Sequence, residues 1–596
     1  MQNTVRLSDG RFNVKLPLNS SPNNLGESYN TAKKRLFNLE SRFRKNPTLK
    51  SQYVDFMKEY EELGHMSVAP KSKPFPSYFL CHHAVFKDNS ESTKVRVVFD
   101  GSVPTSSGIS VNDILMVGPN IQDSLFSILI RARQYKYLIT GDIEKMYRQL
   151  RVDESCRNLQ LILWREDESL PIRTMQMNTL TYGTTSASYL STRCLWQVGE
   201  ECGDETIKNI IQHDFYVDDL ITGCDDEIQL SEIQHSISSA LKSACLNLRK
   251  YKTNSKNLFK NSSINTQDKL TISEASSTLG LGWEPKSDNL NFPVQPLHNQ
   301  DIITKRRILS SAFKIFDPLG LLSPCIITAK IILQNLWKQK IDWDQAIPHE
   351  IAERWLEFAD NLNCLLKLQI PRRVLCDSPN SIELHTFSDA SQKAYGACVY
   401  VRSTENNHDF TVRLLAAKSK VARINPMTIP RLELCAALLA AKLCKSVLEA
   451  IRYKPSRIVH WCDSSVVLAW LRGDPTKLKT FVANRVVEIT ELTDAFSWRY
   501  VPTDMNPADL ISRGINVNQI INNSLWWSGP NYLINSESDW PVLNSIDIHN
   551  IPETKITSKS KTTPRITKKS KYLPKTVQST PPVSSLAPTE QAEQPI

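Results

Sequence analysis

Two adjacent carboxylates interrupt an apolar, strand-forming stretch, FYVDDLIT, that runs from Phe215 to Thr222. Aromatic and β-branched residues on both sides of a short polar break predict two strands joined by a tight turn. Asp218 and Asp219 would then lie at the tip of a hairpin. Asp is common in turns because of its local hydrogen bonds, so the stretch alone favours an ordinary turn. A divalent-metal site becomes the better interpretation only if another carboxylate lies nearby.

Asp142 is a candidate for that carboxylate. It lies near the end of a predicted strand, KYLITGDI, which is followed by a helical turn, then a long helix and then the acidic hairpin. If the strand and the hairpin are neighbours, their acids could hold two Mg²⁺ ions about 3.5–4 Å apart, as in-line phosphoryl transfer requires. Carboxylates suit this role because Mg²⁺ prefers oxygen ligands. After the hairpin, the periodicity from Ile228 to Leu248 predicts an amphipathic helix.

A second group of acids follows Ile382. Asp389 ends a predicted strand, Glu433 lies on a strong helix, Asp463 ends another strand and Asp509 begins a helix. Each acid alone has an ordinary explanation: Glu433 could face solvent, and Asp509 could complement a helix N-terminus. Four acids at the ends of successive elements of one α/β unit predict a second two-metal site.

The cationic hairpin near the N-terminus has two open interpretations. YFLCHHAVF and KVRVVFDGS are predicted strands on either side of a polar turn, and Lys87, Lys94 and Arg96 lie on them. These cations could belong to a solvated sheet edge. They could also bind a triphosphate if the hairpin overhangs the acids.

The composition of the 596 residues is that of a soluble globular protein, with 41% apolar and 22% charged residues. We expect no membrane segment, because no apolar run reaches about 20 residues, and no signal peptide at the start. Thirteen cysteines without a C-x-x-C pair predict reduced thiols and an intracellular protein. The net charge of +10 suggests a polyanionic partner, but half of the excess lies in residues 551–596. We expect disorder from residue 545 onward.

Three motifs resemble the palm motifs of reverse transcriptases, in the order of that family: TGDIEKMYRQL, LTYGTTSASYLS and FYVDDLITG. The segment YFLCHHAVFKDNSESTKVRVVFDGSVPTSSGISVNDIL resembles the fingers of BEL/Pao-type LTR retrotransposons in particular. The resemblance extends to about residue 530. It implies a fragment of a retrotransposon polyprotein, with a right-hand polymerase of fingers, palm and thumb, then a connection and an α/β ribonuclease H-like domain.

The resemblance implies roles for the polymerase residues. Asp142 and Asp218 would be the main metal ligands, with Asp219 completing the motif. Four further positions match nucleotide-binding residues: Arg96 and Lys87 for the triphosphate, Tyr147 as a gate against a ribose 2′-hydroxyl, and Gly183 for close backbone approach to the new base pair. Tyr182 replaces the glutamine of retroviral enzymes, and either Lys250 or Lys252 matches a mobile lysine.

The second group resembles the active site of ribonuclease H. Asp389, Glu433, Asp463 and Asp509 match its four metal ligands in order. The resemblance implies two Mg²⁺ ions at each site, with Mn²⁺ as a substitute, and water as the nucleophile that cuts the RNA strand of a hybrid. The implied partners are an RNA template, a DNA primer, an RNA–DNA hybrid, deoxynucleoside triphosphates and other proteins of the retrotransposon, either in a cytoplasmic virus-like particle or in the nucleus.

We therefore predict an RNA-directed DNA polymerase, a nucleotidyltransferase, that is also an RNA–DNA hybrid endonuclease. One alternative is a domesticated, non-catalytic nucleic-acid-binding protein of the same fold, and another is a structural or interaction protein that works through its basic tail. No Asp-Thr/Ser-Gly occurs in the sequence, so we predict no protease activity. The predicted regions are a helical lead-in (1–70), fingers and palm (71–285), a thumb- or connection-like helical region (286–380), a ribonuclease H-like domain (381–520), and a degenerate linker with a disordered basic tail (521–596).

Overall fold

The computed structural model describes residues 4–70, 76–86, 95–258, 276–278, 281–294, 302–406, 408–543 and 551–555. Lys87, Lys94 and most of the predicted tail lie outside these ranges. None of the described helices is long and apolar enough to cross a membrane.

The first part of the chain, residues 4–258, is here called the polymerase part after the motifs that it contains. It includes eight of the described helices and twelve of the described strands. The helices are α1 (Tyr29–Lys45), α2 (Pro47–Glu62), α3 (Val111–Ile114), α4 (Leu125–Ala132), α5 (Met146–Gln149), α6 (Ala187–Glu201), α7 (Glu205–His213) and α8 (Glu227–Lys242). The strands are β1 (Thr4–Arg6), β2 (Phe12–Val14), β3 (Met66–Val68), β4 (Cys81–Phe86), β5 (Val95–Asp100), β6 (Tyr137–Ile143), β7 (Arg151–Val152), β8 (Leu161–Trp164), β9 (Arg173–Met177), β10 (Phe215–Tyr216), β11 (Asp219–Cys224) and β12 (Leu248–Thr253).

The rest of the chain forms a connecting part and a nuclease part. The connecting part contains β13 (Ser276–Thr278), β14 (Leu281–Glu284), β15 (Asn289–Asn291), α9 (Lys305–Ala312), α10 (Ser323–Lys338), α11 (His349–Asn361) and β16 (Ile370–Pro371). The nuclease part contains β17 (Ser381–Ala390), β18 (Ala394–Thr404), β19 (Phe410–Val421), α12 (Ile429–Ala450), β20 (Arg457–Cys462), α13 (Ser465–Arg472), α14 (Thr480–Leu492), β21 (Trp498–Tyr500), α15 (Asp509–Arg513), α16 (Val517–Ile520) and α17 (Ser524–Ser528).

An antiparallel sheet in the order β10–β11–β6–β12 supports the first group of acids. Successive side chains of β6 point to opposite faces, as strand geometry requires. Leu138 joins a core that extends into the connecting and nuclease parts, whereas Ile139 joins the core of the polymerase part. The sheet is therefore packed on both faces, and its acids lie at one end, on rigid strands.

The prediction of one helix from Ile228 to Leu248 is wrong at its C-terminal end, where the helix stops early and a strand begins. α8 ends at Lys242, Cys245 adopts a left-handed backbone conformation, and Leu248 begins β12. Leu248 pairs with Ile143 of β6, and its side chain approaches within 3.1 Å of the position that a Cβ on Gly141 would occupy. Pairing with the open edge of β6 satisfies backbone groups that a longer helix would leave unpaired.

The nuclease part is a mixed sheet in the order β19–β18–β17–β20–β21, in which β17 pairs in parallel with β20. β18 is buried on both faces. Tyr395 packs against Leu432 of α12, whereas a Cβ on the next residue, Gly396, would meet Ile511 of α15. α10 packs on the neighbouring strand, β19. Helices thus cover both faces, which confirms the predicted three-layer α/β fold after a polymerase fold.

Two buried arginines join the polymerase part to the other two parts. Arg133, directly after α4, donates hydrogen bonds to four main-chain carbonyl oxygens, two on β19 and two at the end of β16, at 2.8–3.1 Å. Arg372 donates to three carbonyl oxygens, one at the end of α4 and two in the loop before β6, and its Nε lies 2.6 Å from Oδ1 of Asp288. Buried charges need such complete coordination because desolvation is costly. The two groups of acids therefore lie on one packed frame.

Residues 521–543, predicted as the start of a linker, pack against the nuclease sheet instead. Trp526 is fully buried, and its indole N–H donates to the carbonyl oxygen of Leu321 at 2.9 Å. Trp540 is also buried, and Arg402 donates to the carbonyl oxygen of Leu533 at 2.7 Å. A few large aromatic side chains bury enough area to fix a polar segment. Residues 551–555, predicted as disordered, also lie against the nuclease part.

Candidate active sites

The acidic hairpin of the polymerase part is a two-residue turn between β10 and β11. Tyr216 pairs with Asp219, so Val217 and Asp218 form the turn and Asp219 is the first residue of β11. Val217 has a φ of +58°, which is unusual for a β-branched residue and costs roughly 1–3 kcal/mol. Its backbone N–H donates to Oε1 of Gln122 at 3.1 Å, which helps to hold this conformation.

The sheet β10–β11–β6–β12, here called the palm sheet, brings the three predicted acids of the first site together. Asp219 lies directly opposite Asp142 in the pairing of β11 with β6. The backbone N–H of Ile143 donates to the carbonyl oxygen of Asp218 at 2.8 Å, which fixes the turn against the end of β6. Burial, and then the negative charge of Asp142, raises the pKa of the Asp218 carboxyl. Crowded acids of this kind favour binding of a cation.

Two cations from other elements act on these acids. The positive charges of Arg96 on β5 and Lys250 on β12 lower the pKa of Asp218, against the larger effect of burial. Lys250 Nζ also lies 3.2 Å from Oδ2 of Asp142. Lys250 lies at a bulge and has a φ of +53°, whereas Lys252 pairs with Thr140 in the regular part of the ladder. Lys250, one of the two lysines that the sequence left open, is thus bonded to Asp142.

The predicted nucleotide-binding residues lie on elements around this sheet. Tyr147 lies on α5, which follows β6, and it packs in part against the polymerase core. Gly183 has a φ of +96°, and a Cβ there would come within 1.9 Å of the carbonyl oxygen of Phe99. The tight contact with β5 is thus a structural reason for this glycine. Tyr182, beside it, donates its hydroxyl to the carbonyl oxygen of Val97.

Four elements of the nuclease part converge at the second group of acids. Ser388 pairs with Cys462 in the parallel ladder, so Asp389 and Asp463 are the next residues at the ends of neighbouring strands. Glu433 lies in the first turns of α12, and Asp509 is the first residue of α15.

The four acids act on one another electrostatically. Burial and the charge of Asp463 raise the pKa of Asp389 to about 7. Burial, Asp389 and Asp463 raise the pKa of Glu433 to about 9. The pKa values of Asp463 and Asp509 are also raised, mainly by burial. Acids with such mutual repulsion are stabilised as anions by a divalent cation.

The ligand atoms fit a hard divalent ion. Oε2 of Glu433 and Oδ1 of Asp463 are buried and have no hydrogen-bond partner among the residues that the structure describes. Ligand atoms of Glu433, Asp463 and Cys462 lie within 4.8 Å of one another. Burial raises the pKa of the Cys462 thiol well above its usual value, and Mg²⁺ prefers oxygen to sulfur. The carboxylates are therefore the groups that could hold such an ion, and Cys462 forms part of the wall beside them.

Polar residues that sequence reasoning missed orient these acids. Ser512 donates to Oδ2 of Asp389, and Thr503 donates to Oδ2 of Asp463 at 3.1 Å. The buried Asn506 donates to the carbonyl oxygen of Ser388 at 3.0 Å. All three lie in VPTDMNPADLISRG, around Asp509. In the sequence, these residues could have been found as a cluster of hydroxyl and amide side chains around an acid at the start of a helix.

The palm sheet carries three acids at one end, and four acids meet at the end of the five-stranded sheet and its helices. Together these features define a right-hand polymerase joined to a ribonuclease H-like domain. Two protein families match the chain accordingly. The family described as "Reverse transcriptase (RNA-dependent DNA polymerase)" matches residues 106–282, and the "Pao retrotransposon-like RNaseH-like domain" matches residues 304–464. Residues 106–282 are thus similar to reverse transcriptases and residues 304–464 to Pao-type ribonuclease H-like domains, the two families that the motifs predicted.

Several solved structures are similar over most of the chain. The foamy viral protease-reverse transcriptase in complex with dsDNA is 16% identical, with a TM-score of 0.48 over 76% of this chain and 83% of that one. The dRH form of that protein with dsDNA is 14% identical, with a TM-score of 0.47 over 74% and 68%. The complex with an RNA/DNA hybrid is 14% identical, with a TM-score of 0.45 over 75% and 53%. No curated protein matches the sequence.

Proposed function

We propose that this chain is an RNA-directed DNA polymerase with ribonuclease H activity from a BEL/Pao-type retrotransposon. The pairing of Asp219 with Asp142 supports the proposal most directly, because it unites acids from two distant motifs at one end of a rigid sheet. In the second, separate group of acids, Asp389, Glu433 and Asp463 lie within residues 304–464, which match the Pao-type family, and Asp509 follows that range. Its proposed substrates are an RNA template, a DNA primer, deoxynucleoside triphosphates and an RNA–DNA hybrid.

At the polymerase site, Asp142 and Asp218 would hold the metal ions, with Asp219 beside them. Two Mg²⁺ ions held there would lower the pKa of an attacking 3′-hydroxyl and would neutralise charge on the leaving diphosphate. Arg96 would bind the triphosphate from the fingers, where its charge already acts on Asp218. Tyr147 would exclude a ribose 2′-hydroxyl. Lys250 would leave Asp142 as the metal binds.

At the nuclease site, the four acids would hold metal ions for attack by water on the RNA strand. Ser512 and Thr503 keep the carboxylates of Asp389 and Asp463 oriented, because each hydroxyl donates to one oxygen and leaves the other available. Asn506 ties the loop before Asp509 to the end of β17. The nuclease residues therefore bind and orient, and no amino-acid nucleophile is needed.

Primer extension on an RNA template with Mg²⁺ tests the polymerase proposal. Asp218→Asn keeps the size of the side chain but removes a ligand charge, so extension should fall to background. Asp226→Asn is a matched control, because Asp226 caps α8 by accepting from the N–H groups of Ile228 and Gln229. The control should extend normally.

Extension by the wild-type protein that is no better than that of Asp218→Asn would contradict the polymerase proposal. Tight binding of primer–template by both proteins, without extension, would instead support the non-catalytic alternative. Thermal unfolding of each variant separates loss of chemistry from loss of folding.

A further inference from the structure

Residues 551–555, here called the tail segment, lie against the nuclease part. Thr554 forms an antiparallel bridge with Leu478. The N–H of Lys479 donates to the carbonyl oxygen of Glu553 at 2.8 Å, and the N–H of Lys555 donates to that of Lys477 at 2.7 Å. The segment is therefore held by one isolated β-bridge and its flanking hydrogen bonds, along the residues that precede α14.

The carboxylate of Glu553 is bound by two cations. Arg431 donates from Nε and Nη2 to the two carboxylate oxygens, each at 3.0 Å, and Lys479 Nζ lies 3.3 Å from Oε2. Arg431 is the third residue of α12 and Lys479 directly precedes α14. The positive ends of two helices thus meet at Glu553. We call Arg431, Lys479 and these two helix ends the cationic cleft.

The preceding residues also contact buried side chains. The indole N–H of Trp470 donates to the carbonyl oxygen of Pro552 at 2.9 Å. Ile551 lies 3.4 Å from the position of a Cβ on Gly473. The tail segment is thus anchored by backbone, apolar and ionic contacts together.

The cationic cleft adjoins the nuclease acids. Arg431 and Glu433 are two residues apart on α12, which is about 3 Å along the helix axis. Between them, Leu432 packs in one cluster with Ala390, the residue after Asp389. The side chains of Arg431 and Glu433 nevertheless point to opposite sides of α12, because two residues turn a helix by about 200°. A nucleic-acid duplex is wider than one helix, so a duplex bound at the acids can extend over the N-terminal end of α12, where the cations that hold Glu553 lie.

We propose that the tail segment and nucleic acid compete for the cationic cleft, so that the Glu553 carboxylate takes the place of a backbone phosphate until a strand displaces it. The inference rests on the proposed nuclease function. The side chains of Arg431 and Lys479 are 31% and 58% exposed, so solvent and salt reach both ion pairs and screen them. A polyanion gains from several contacts and from counterion release, which allows it to displace a single carboxylate.

Binding of an RNA–DNA hybrid to the full chain tests this competition. The Asp463→Asn background prevents cleavage, and Glu553→Gln removes the competing charge. We expect the Kd, measured by fluorescence anisotropy, to fall roughly three- to tenfold. Glu537→Gln is the matched control: Glu537 is also held by two cations, Arg457 and Arg499, at 2.6 Å, and its Kd should stay unchanged.

Hydrogen exchange gives a second measurement that does not depend on activity. The amide of Lys555 is hydrogen-bonded in the docked segment, so saturating hybrid should speed its exchange. An unchanged Kd for Glu553→Gln, or unchanged exchange at Lys555 while hybrid is bound, would overturn the competition but leave the nuclease proposal standing. Failure of every variant to bind hybrid would overturn both.

Discussion

The polymerase and nuclease sites both collect acids from distant elements, but they balance the resulting charge differently. At the polymerase site, Arg96 and Lys250 come from separate strands and act on Asp218. At the nuclease site, the acids mainly face one another. Among the residues that the structure describes, Arg513 is the cation that pairs with one of them, Asp509, and both lie in α15. The first arrangement suits the binding of an anionic triphosphate. The second depends more on bound metal to offset its own repulsion.

The largest expected effect separates the two sites. Asp463→Asn should lower hybrid cleavage by more than about 100-fold, because removing a metal ligand costs more than the 10–100-fold typical of residues that only support ligands. Primer extension should stay within about twofold, because Asp463 lies on a different sheet from Asp218. Gel assays of both activities on one preparation measure this. Equal loss of both activities would show that the sites are not independent.

The second prediction concerns stability and pH. Glu433 has its pKa raised from 4.5 to about 9, so the folded protein keeps a proton that the unfolded chain releases. Without metal, stability should therefore fall as pH rises from about 4.5 to 9. Glu433→Gln should raise the Tm at pH 8 by a few degrees and leave it unchanged at pH 4.

Added Mg²⁺ provides the control for this pH effect. It should raise the Tm of the wild-type protein at pH 8, because the ion binds only the folded state, and it should raise that of Glu433→Gln much less. Calorimetry with and without Mg²⁺ checks both points. A wild-type Tm that rises with pH in the absence of metal would contradict the assigned repulsion.

The third prediction concerns the cation of the polymerase site. Lys250→Ala should slow primer extension by a few-fold to about tenfold, since its bond to Asp142 is charged but largely exposed. Cleavage should not change. Lys252→Ala is the matched control on the same strand and should have a smaller effect. A larger loss for Lys252→Ala would assign the role to that lysine instead.

The smallest expected effect is at the corresponding cation of the nuclease site. Arg513→Ala removes an ion pair to Asp509, in which Nε of Arg513 lies 2.6 Å from Oδ1 of Asp509. The Arg513 side chain is 65% exposed. Cleavage should change by no more than about twofold at saturating Mg²⁺. Titration of cleavage rate against Mg²⁺ measures this. If Arg513→Ala slowed cleavage as much as Lys250→Ala slows extension, the two sites would not differ in how much they depend on a neighbouring cation.

The acids and the order of their elements could be predicted from the sequence, but the roles of neighbouring residues could not. Asp214 lies four residues before Asp218 and is the same residue type. It is buried, 2.8 Å from Nε of Arg131, and accepts a hydrogen bond from Thr222 at 2.7 Å. Its role is structural, because a distant helix supplies the cation that neutralises it. Local sequence contains no information about that partner.

By itself the sequence determined which segments become strands or helices and which acids end them, because periodicity and turn chemistry act over a few residues. Tertiary structure alone decided that Leu248 begins a strand on β6, that Lys250 reaches Asp142, and that Glu553 binds Arg431. Each of these outcomes depends on an unpaired strand edge or an uncompensated charge that a distant part of the chain supplies. Such partners become neighbours only after the chain has folded.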